Sequence, residues 1–318
     1  MGYVSRQEHA LVNVRRSLPE EWTKDRTRCR AAGVPKHVKF QTRHAQALEM
    51  LDESGPLLPH GWITGDDEMG RCGPFREALR TRDERYLLAV PSNTLVRDGE
   101  VSPPEDSGHG RRRKVPWRRL DAWCASQPET AWTRLDVRDG EKGPLVIDAL
   151  KRRVQARTPT GGTGPDTVLF STVLFITVLF ITRERQSEGT LKHDYHLSNA
   201  DPDTPVITFA RTAKCEHRIE ECFQRGQSEA GLGDYQVRNW IGWHHHQTLS
   251  LIAAWFLNEE TRRGKNPDPR PDGSSSPPPD RRPDRTPTPI QHPSAHHRYR
   301  PTLAPTKRTR PSLTLRNP

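Results

Sequence analysis

Proline is the residue that most restricts how this chain can fold, because it is concentrated near one end. Residues 265–318 contain 14 of the 29 prolines of the 318-residue sequence. Proline lacks the backbone hydrogen-bond donor that helices and central strands require, so this density excludes regular structure. We therefore expect residues 265–318 to form a disordered tail, and the preceding residues to form the folded part.

The positive charge has a similar distribution. The chain has 50 Lys and Arg against 40 Asp and Glu, which gives a formal charge of +10. Residues 265–318 contain 11 basic and 4 acidic residues and carry +7, so the remaining residues carry only +3. A positive charge indicates a polyanionic partner such as nucleic acid. A shifted reading frame in GC-rich DNA would produce the same Pro- and Arg-rich tail, and we favour that origin.

The cysteine spacing and the first residues of the chain indicate the cellular compartment of the protein. The five cysteines form no CxxC pair, so the sequence predicts neither a disulfide framework nor a zinc site. Residues 1–8 lack the apolar core of a secretion signal, which predicts a cytoplasmic protein with no membrane partner.

The region from residue 47 to residue 90 has an α/β pattern. Residues 61–64 and 86–90 are short apolar runs typical of strands, and residues 75–82 have helical composition. Strand, helix and strand in this order predict a parallel βαβ unit. Such a unit places Asp66 in a loop at the carboxyl end of its first strand.

A tandem repeat occupies residues 167–182, TVLFSTVLFITVLFIT, in which TVLF recurs every five residues. Neither a strand nor a helix can place all copies on one buried face, because five residues match neither period. We interpret the last copy, running into residues 182–185, as the native strand and the other copies as a tandem expansion that favours aggregation. Further along, residues 211–226 and 240–262 have helical spacing, the second with Leu249, Ile252 and Phe256 among the residues of its apolar side.

Two carboxylates stand out by their context. Asp66 follows a predicted buried strand and precedes a helix, where a carboxylate is suited either to Mg²⁺ or to the helix dipole. Glu220 lies beside the apolar Ile219 and Phe223, so burial of its charge would need a partner such as a metal ion. A surface position is the alternative.

Other candidates have simpler explanations that we prefer. The basic run Arg111, Arg112, Arg113 and Lys114 is suited to a phosphate contact, but a solvated turn is the commoner reading. Trp117, Trp123 and Trp132 are more often packed than stacked on a base. His244, His245 and His246 point in different directions on one helix, so they do not share one metal ion.

Several sequence blocks together resemble DDE-superfamily transposases of the insertion-sequence 701-like group. In order they are GWITGDDEMG, YLLAVPSN, IEECFQRGQSEAGLGDYQVRNW and GWHHHQTLSLIAAWFL. The resemblance extends from about residue 17 to about residue 264. It implies an α/β, ribonuclease H-like fold that is incomplete at its start and is interrupted by a β-rich insertion. The implied parts are residues 1–93, the insertion 94–210, the catalytic helices 211–264 and the tail 265–318.

The resemblance also implies a chemistry. Three carboxylates would bind two Mg²⁺ ions for cleavage and transfer of DNA strands. Asp66 matches the second aspartate of the family pattern, and Glu220 matches the glutamate of its I-E-x-x-F helix. The implied partner is DNA at the ends of an insertion sequence, and a homodimer is an open option.

Two departures from the family pattern argue against activity. The family's first aspartate lies upstream of the RSLPEEW block, whereas residues 1–15 of this chain contain no aspartate. A lysine usually follows the glutamate by seven residues, and Gln227 stands there. We therefore expect an inactive transposase remnant whose central sheet edge is exposed. The alternatives are a non-enzymatic DNA-binding fragment that uses Arg111–Lys114 and the tail and, more distantly, an RNA-binding protein.

Overall fold

The computed structural model describes residues 1–5, 9–103, 114–138, 145–157, 177–236 and 238–265, except for the side chains of Arg138, Glu216 and Lys265. Residues Met1–Trp255 belong to one compact unit, and a second unit begins at Phe256. Of the second unit the structure describes residues 256–265, which continue the last helix. Residues 266–318 of the predicted tail and the basic residues 111–113 lie outside the described residues.

The described residues form short helices and a mixed sheet. The helices are α1 Glu20–Lys24, α2 Arg26–Ala31, α3 Arg43–Ser54, α4 Asp67–Arg71, α5 Gly73–Arg80, α6 Leu120–Ala125, α7 Val206–Lys214, α8 Glu216–Glu229 and α9 Trp240–Lys265. The strands are β1 Gly2–Val4, β2 His9–Leu11, β3 Ile63–Gly65, β4 Tyr86–Ala89, β5 Leu95–Asp98, β6 Arg118–Arg119, β7 Thr133–Arg138, β8 Leu145–Arg157, β9 Thr177–Arg185 and β10 Leu191–Ser198. None of these helices is both long enough and apolar enough for a membrane span.

The predicted βαβ unit is present. Strands β3 and β4 are parallel neighbours, with Thr64 opposite Leu87, and helices α4 and α5 connect them. Phe75 and Leu79 of α5 are buried against β4, which explains the apolar spacing of that helix. Strand β3 is only half-buried, so the prediction of a buried first strand was wrong in that respect.

Strand β10 connects this unit to the remaining strands. The order in the eight-stranded sheet is β3-β4-β10-β9-β8-β5-β6, and β7 also pairs with β8. Strand β10 is antiparallel to both of its neighbours, so the sheet is mixed. Strands β1 and β2 form a separate antiparallel hairpin, and β3 is the terminal strand of the larger sheet.

Strand β9 explains the apolar character of the last TVLF copy. Its side chains alternate between two buried clusters, with Leu179 and Ile181 in one and Val178 and Phe180 in the other. Helix α6 contributes to the first cluster and α7 to the second, so both faces of this strand are covered. The strand predicted at this copy is confirmed, and its apolar run is suited to two buried faces. Residues 167–176 lie outside the described residues.

The helix predicted over residues 211–226 is in fact two helices. Helix α7 begins after Pro205, more than one turn earlier than predicted, and α8 begins after a break at Cys215. Phe209 and Ala210 of α7 pack on the sheet. The amphipathic pattern is continuous and reports only local periodicity, so it predicted one helix. The end of α7 is instead set by the packing of this helix on the sheet.

Helix α9 begins at the predicted residue, but its apolar side is not its buried side. Leu249, Ile252 and Phe256 are exposed, whereas Trp243 and Gln247 are among its buried residues. Gln247 donates to the Leu232 carbonyl at 3.1 Å, which satisfies its buried amide. The apolar pattern therefore did not identify the packed face.

A close approach between α4 and β4 gives the first prediction. A Cβ atom at Gly70 would lie 1.7 Å from the carbonyl oxygen of Ala89, and backbone atoms cannot move away as a flexible side chain can. We expect Gly70→Ala to lower the free energy of unfolding by about 2 to 3 kcal/mol, as measured by urea denaturation. Gly61→Ala is the matched control, because a Cβ there meets no atom within 4 Å. Equal denaturation midpoints for the two variants would contradict this packing.

Candidate active site

A cavity of about 920 Å³ contains both predicted carboxylates on its walls. The end of β3 and the start of α4 contribute Asp66, and α8 contributes Glu220. Strand β1 and helix α7 form the other sides. Residues that are far apart in the sequence thus line one space, although no single local motif contains them.

Asp66 lies directly after β3, as predicted, and is the N-cap of α4. Its Oδ1 atom accepts hydrogen bonds from the backbone N–H groups of Glu68 at 3.1 Å and Met69 at 3.2 Å. These bonds satisfy two donors that the first turn of a helix leaves without intrahelical partners. The side chain is half-buried. Asp66 therefore has a structural role in addition to its position on the cavity wall.

Glu220 is exposed, which is the surface alternative, so its charge needs no buried partner. Its side chain is 75% exposed, and its carboxylate lies 3.7 Å from the His217 ring one turn earlier. Cys222, two residues later, is the buried side chain of this part of α8. Ile219 and Phe223 are half-buried and line the same cavity as Glu220. Water can therefore reach this carboxylate directly.

A third carboxylate on the cavity wall is engaged elsewhere. Arg43 donates to the Glu68 carboxylate at 2.8 Å, and His44 Nε2 lies 3.0 Å from the Glu68 carbonyl oxygen. Both contacts connect α3 to the first turn of α4. Glu68 thus helps to hold the helix that Asp66 caps, and its charge is neutralised by Arg43.

The carboxylates fit a Mg²⁺ site in chemistry but not in number. Carboxylate oxygen is the donor that Mg²⁺ prefers. Among the residues that the structure describes, however, no group of three or more His, Cys, Asp or Glu side chains is placed to hold a metal ion. Residues 1–5, which also line the cavity, contribute no carboxylate. The described residues of this cavity therefore do not fit a site for two Mg²⁺ ions.

Among the described residues, the basic and aromatic candidates do not line the cavity. Lys114 is exposed and is not among the residues of the cavity wall, and residues 111–113 are outside the described ranges. Trp123 is buried in the core. Trp117 lies between two guanidinium groups, 4.4 Å from Arg97 and 4.5 Å from Arg157. The preferred interpretation of these tryptophans as packed side chains is supported.

The histidines of α9 make intramolecular contacts. His244 Nδ1 lies 2.8 Å from the Trp240 carbonyl, and His246 Nε2 lies 2.8 Å from the Gly231 carbonyl. These contacts agree with packing roles. Gln227, at the position where the family has a lysine, is half-buried on α8 and does not line the cavity.

Sequence reasoning missed Arg211, an exposed side chain of α7 that lines the cavity. The residue belongs to no recognised motif. The sequence predicted one continuous helix that contains both Arg211 and Glu220. Because the chain breaks at Cys215, the two residues lie on separate helices, and the predicted helix could not give their relative orientation. No local signal was sufficient to find it.

Cys72, which directly follows α4, has a thiol with a neighbouring histidine, His44. Partial burial opposes its ionisation, but hydrogen bonds with the His44 ring and the Phe75 backbone N–H, together with the charges of His44 and Arg76, lower the pKa of this thiol. The hydrogen bond with Cys72 in turn raises the pKa of His44, although burial opposes this. The thiolate form is therefore favoured here relative to an ordinary cysteine.

The capping role of Asp66 predicts a difference between two substitutions. We expect Asp66→Ala to lower the free energy of unfolding by about 1 kcal/mol and Asp66→Asn to change it little, because asparagine is an equally good N-cap. Urea denaturation measures both values. Asp25→Ala is the control, since Asp25 caps α2 by accepting from the Arg28 N–H at 2.9 Å away from the cavity. If Asp66→Asn were as destabilising as Asp66→Ala, the capping bonds would not account for the loss.

The thiol environment predicts selective alkylation. Burial raises the pKa of Cys124 and raises that of Cys222 to about 11. At neutral pH we expect iodoacetamide to modify Cys72 before either of them, because the thiolate is the nucleophile. Mass spectrometry after brief alkylation over a series of pH values gives the order, and the rate at Cys72 should rise at lower pH than at the others. His44→Gln should slow the reaction at Cys72, and an unchanged rate would contradict the role of the histidine.

Comparison with known proteins agrees with the superfamily expected from the sequence. Residues 1–144 match the sequence profile of a family described as DDE superfamily endonuclease. The matched region includes Asp66 and ends before Glu220. No curated protein matches this chain. The match supports a DDE-superfamily, transposase-like protein, and a domain of this kind implies DNA as its substrate.

Proposed function

We propose that this chain derives from an insertion-sequence transposase of the 701-like group and that it binds DNA in the cavity between Asp66 and Glu220 without cutting it. The single observation that carries the proposal is that both acids line one cavity although they come from distant parts of the chain. The family match over residues 1–144 supports the DNA substrate.

The proposed fold is ribonuclease H-like, with an insertion over residues 94–210. In support of this assignment, the chain leaves the parallel pair after β4 and passes through β5 to β9. It then returns with β10 beside β4 before α7 and α8 begin. A long excursion of antiparallel strands therefore separates Asp66 from the helix that carries Glu220.

The proposed loss of DNA cleavage follows from the small number of carboxylates that are available to bind metal ions. Two-metal cleavage of a phosphodiester needs ligands that hold both ions beside the reacting phosphate. In the described part of the cavity wall, Glu68 is paired with Arg43, and Asp66 Oδ1 is committed to the cap of α4. Glu220 alone is widely exposed. Such a site is suited to contact DNA but lacks a complete set of ligands for catalysis.

An assay of binding and nicking tests this proposal. We expect the purified protein to bind a fluorescein-labelled DNA duplex with an affinity that falls as salt increases, because phosphate contacts release counterions. We expect no nicking of supercoiled plasmid in Mg²⁺ or Mn²⁺ above that of the Asp66→Asn, Glu220→Gln double variant. That variant retains a capping side chain at position 66, so it is a suitable folded control.

Two results would contradict the proposal in different ways. Metal-dependent nicking that disappears in the double variant would show that the enzyme is active, and the proposed inactivity would be wrong. Absence of salt-sensitive DNA binding by a protein with a cooperative unfolding transition would exclude the DNA-binding function itself.

A further inference from the structure

Arg211 occupies a distinct position on the cavity wall. It lies on α7 one turn after Thr208 and one turn before Cys215, and all three residues line the cavity. Its side chain is exposed. Helix α7 is held against the sheet by its buried residues Phe209 and Ala210. The guanidinium group is therefore carried by a well-packed helix and is accessible to a ligand in the cavity.

The other arginine and lysine side chains of the wall have partners within the protein. Arg43 donates to Glu68 at 2.8 Å, Lys214 contacts Glu184 and lies 3.5 Å from Asp194, and Arg218 donates to the Ser5 carbonyl at 2.9 Å. Within the described ranges, Arg211 has no hydrogen-bond acceptor or carboxylate partner. Among the arginine and lysine side chains of this wall in the described ranges, Arg211 is therefore the one whose charge has no partner within the protein.

We propose that Arg211 is a positioning residue that binds a backbone phosphate of DNA in this cavity, beside Asp66 and Glu220. The inference rests on the proposed DNA-binding function and names the side chain that would make the contact. A guanidinium group presents two parallel N–H donors that match the oxygens of a phosphate. It also offsets the repulsion that the carboxylates of the wall exert on a polyanion.

A purely structural role for Arg211 makes a different prediction. The residue lies in the last turn of α7, where a positive charge stabilises the helix dipole. In that case its removal would change the stability of the fold and leave DNA binding unaltered. Arg30 provides a matched control, because it is also an exposed arginine in the last turn of a helix, α2, but does not line the cavity.

The test compares Arg211→Ala, Arg211→Gln, Arg211→Lys and Arg30→Ala in the full chain. Fluorescence anisotropy with a labelled duplex, over roughly 50 to 200 mM NaCl, gives the affinity and its salt dependence. We expect Arg211→Ala and Arg211→Gln to weaken binding about tenfold at the lowest salt and to reduce the slope of log K against log salt by about one. Arg211→Lys should keep the slope, because it keeps the charge. Arg30→Ala should change neither quantity.

The outcomes separate this inference from the function on which it rests. If the unaltered protein binds DNA and both neutral variants at position 211 bind with the same affinity and slope, the inference is overturned and the proposed function stands. If the unaltered protein binds no DNA, the proposed function fails and the inference fails with it. Arg211→Gln retains a long polar side chain, so the affinity and slope of this variant decide the test if Arg211→Ala does not fold.

Discussion

The hydrogen bonding of strand β10 is the interaction on which the candidate site depends. Residues 196–198 pair with β4 on one side and with β9 on the other. Side chains reinforce this position, because the Ser198 hydroxyl donates to the Tyr86 carbonyl at 2.6 Å and Asn199 Oδ1 accepts from the Tyr86 N–H at 2.8 Å. Buried polar groups are costly when unpaired, so these bonds strongly favour one register. Strand β4, and β3 beside it, are thereby fixed to the antiparallel strands.

The two walls of the cavity follow from this connection. Asp66 leaves the end of β3, while the chain that leaves β10 enters α7 after a short turn. Phe209 of α7 packs at 5.4 Å from the ring of Phe180 in β9 and at 5.6 Å from the ring of Trp62 next to β3. The helix is thus fixed to both parts of the sheet. The side chains of Arg211 and Glu220 reach the cavity because the sheet brings the helices to it.

Net charge is a poor guide to the charges that line the cavity. Most of the formal positive charge belongs to residues 265–318, and the cavity wall has cations and carboxylates in similar number. Several of these charges are used within the fold, as in the Arg43–Glu68 pair. A ligand responds to the charges that are still accessible after folding. For this reason one exposed arginine on α7 is more informative about a ligand of the cavity than the formal charge of the whole chain.

The sequence by itself determined several local elements and singled out two acids as candidate site residues. The apolar runs before Asp66 and at β4 predicted the parallel unit, because each run is short and all of its residues are neighbours in the sequence. The sequence blocks around Asp66 and Glu220 selected two acids that the structure then places on the walls of one cavity. Only the tertiary structure decided that Glu220 is exposed, that α7 and α8 are separate, and that Arg211 faces the cavity. These properties depend on packing between residues far apart in the chain, and local periodicity contains no information about such contacts.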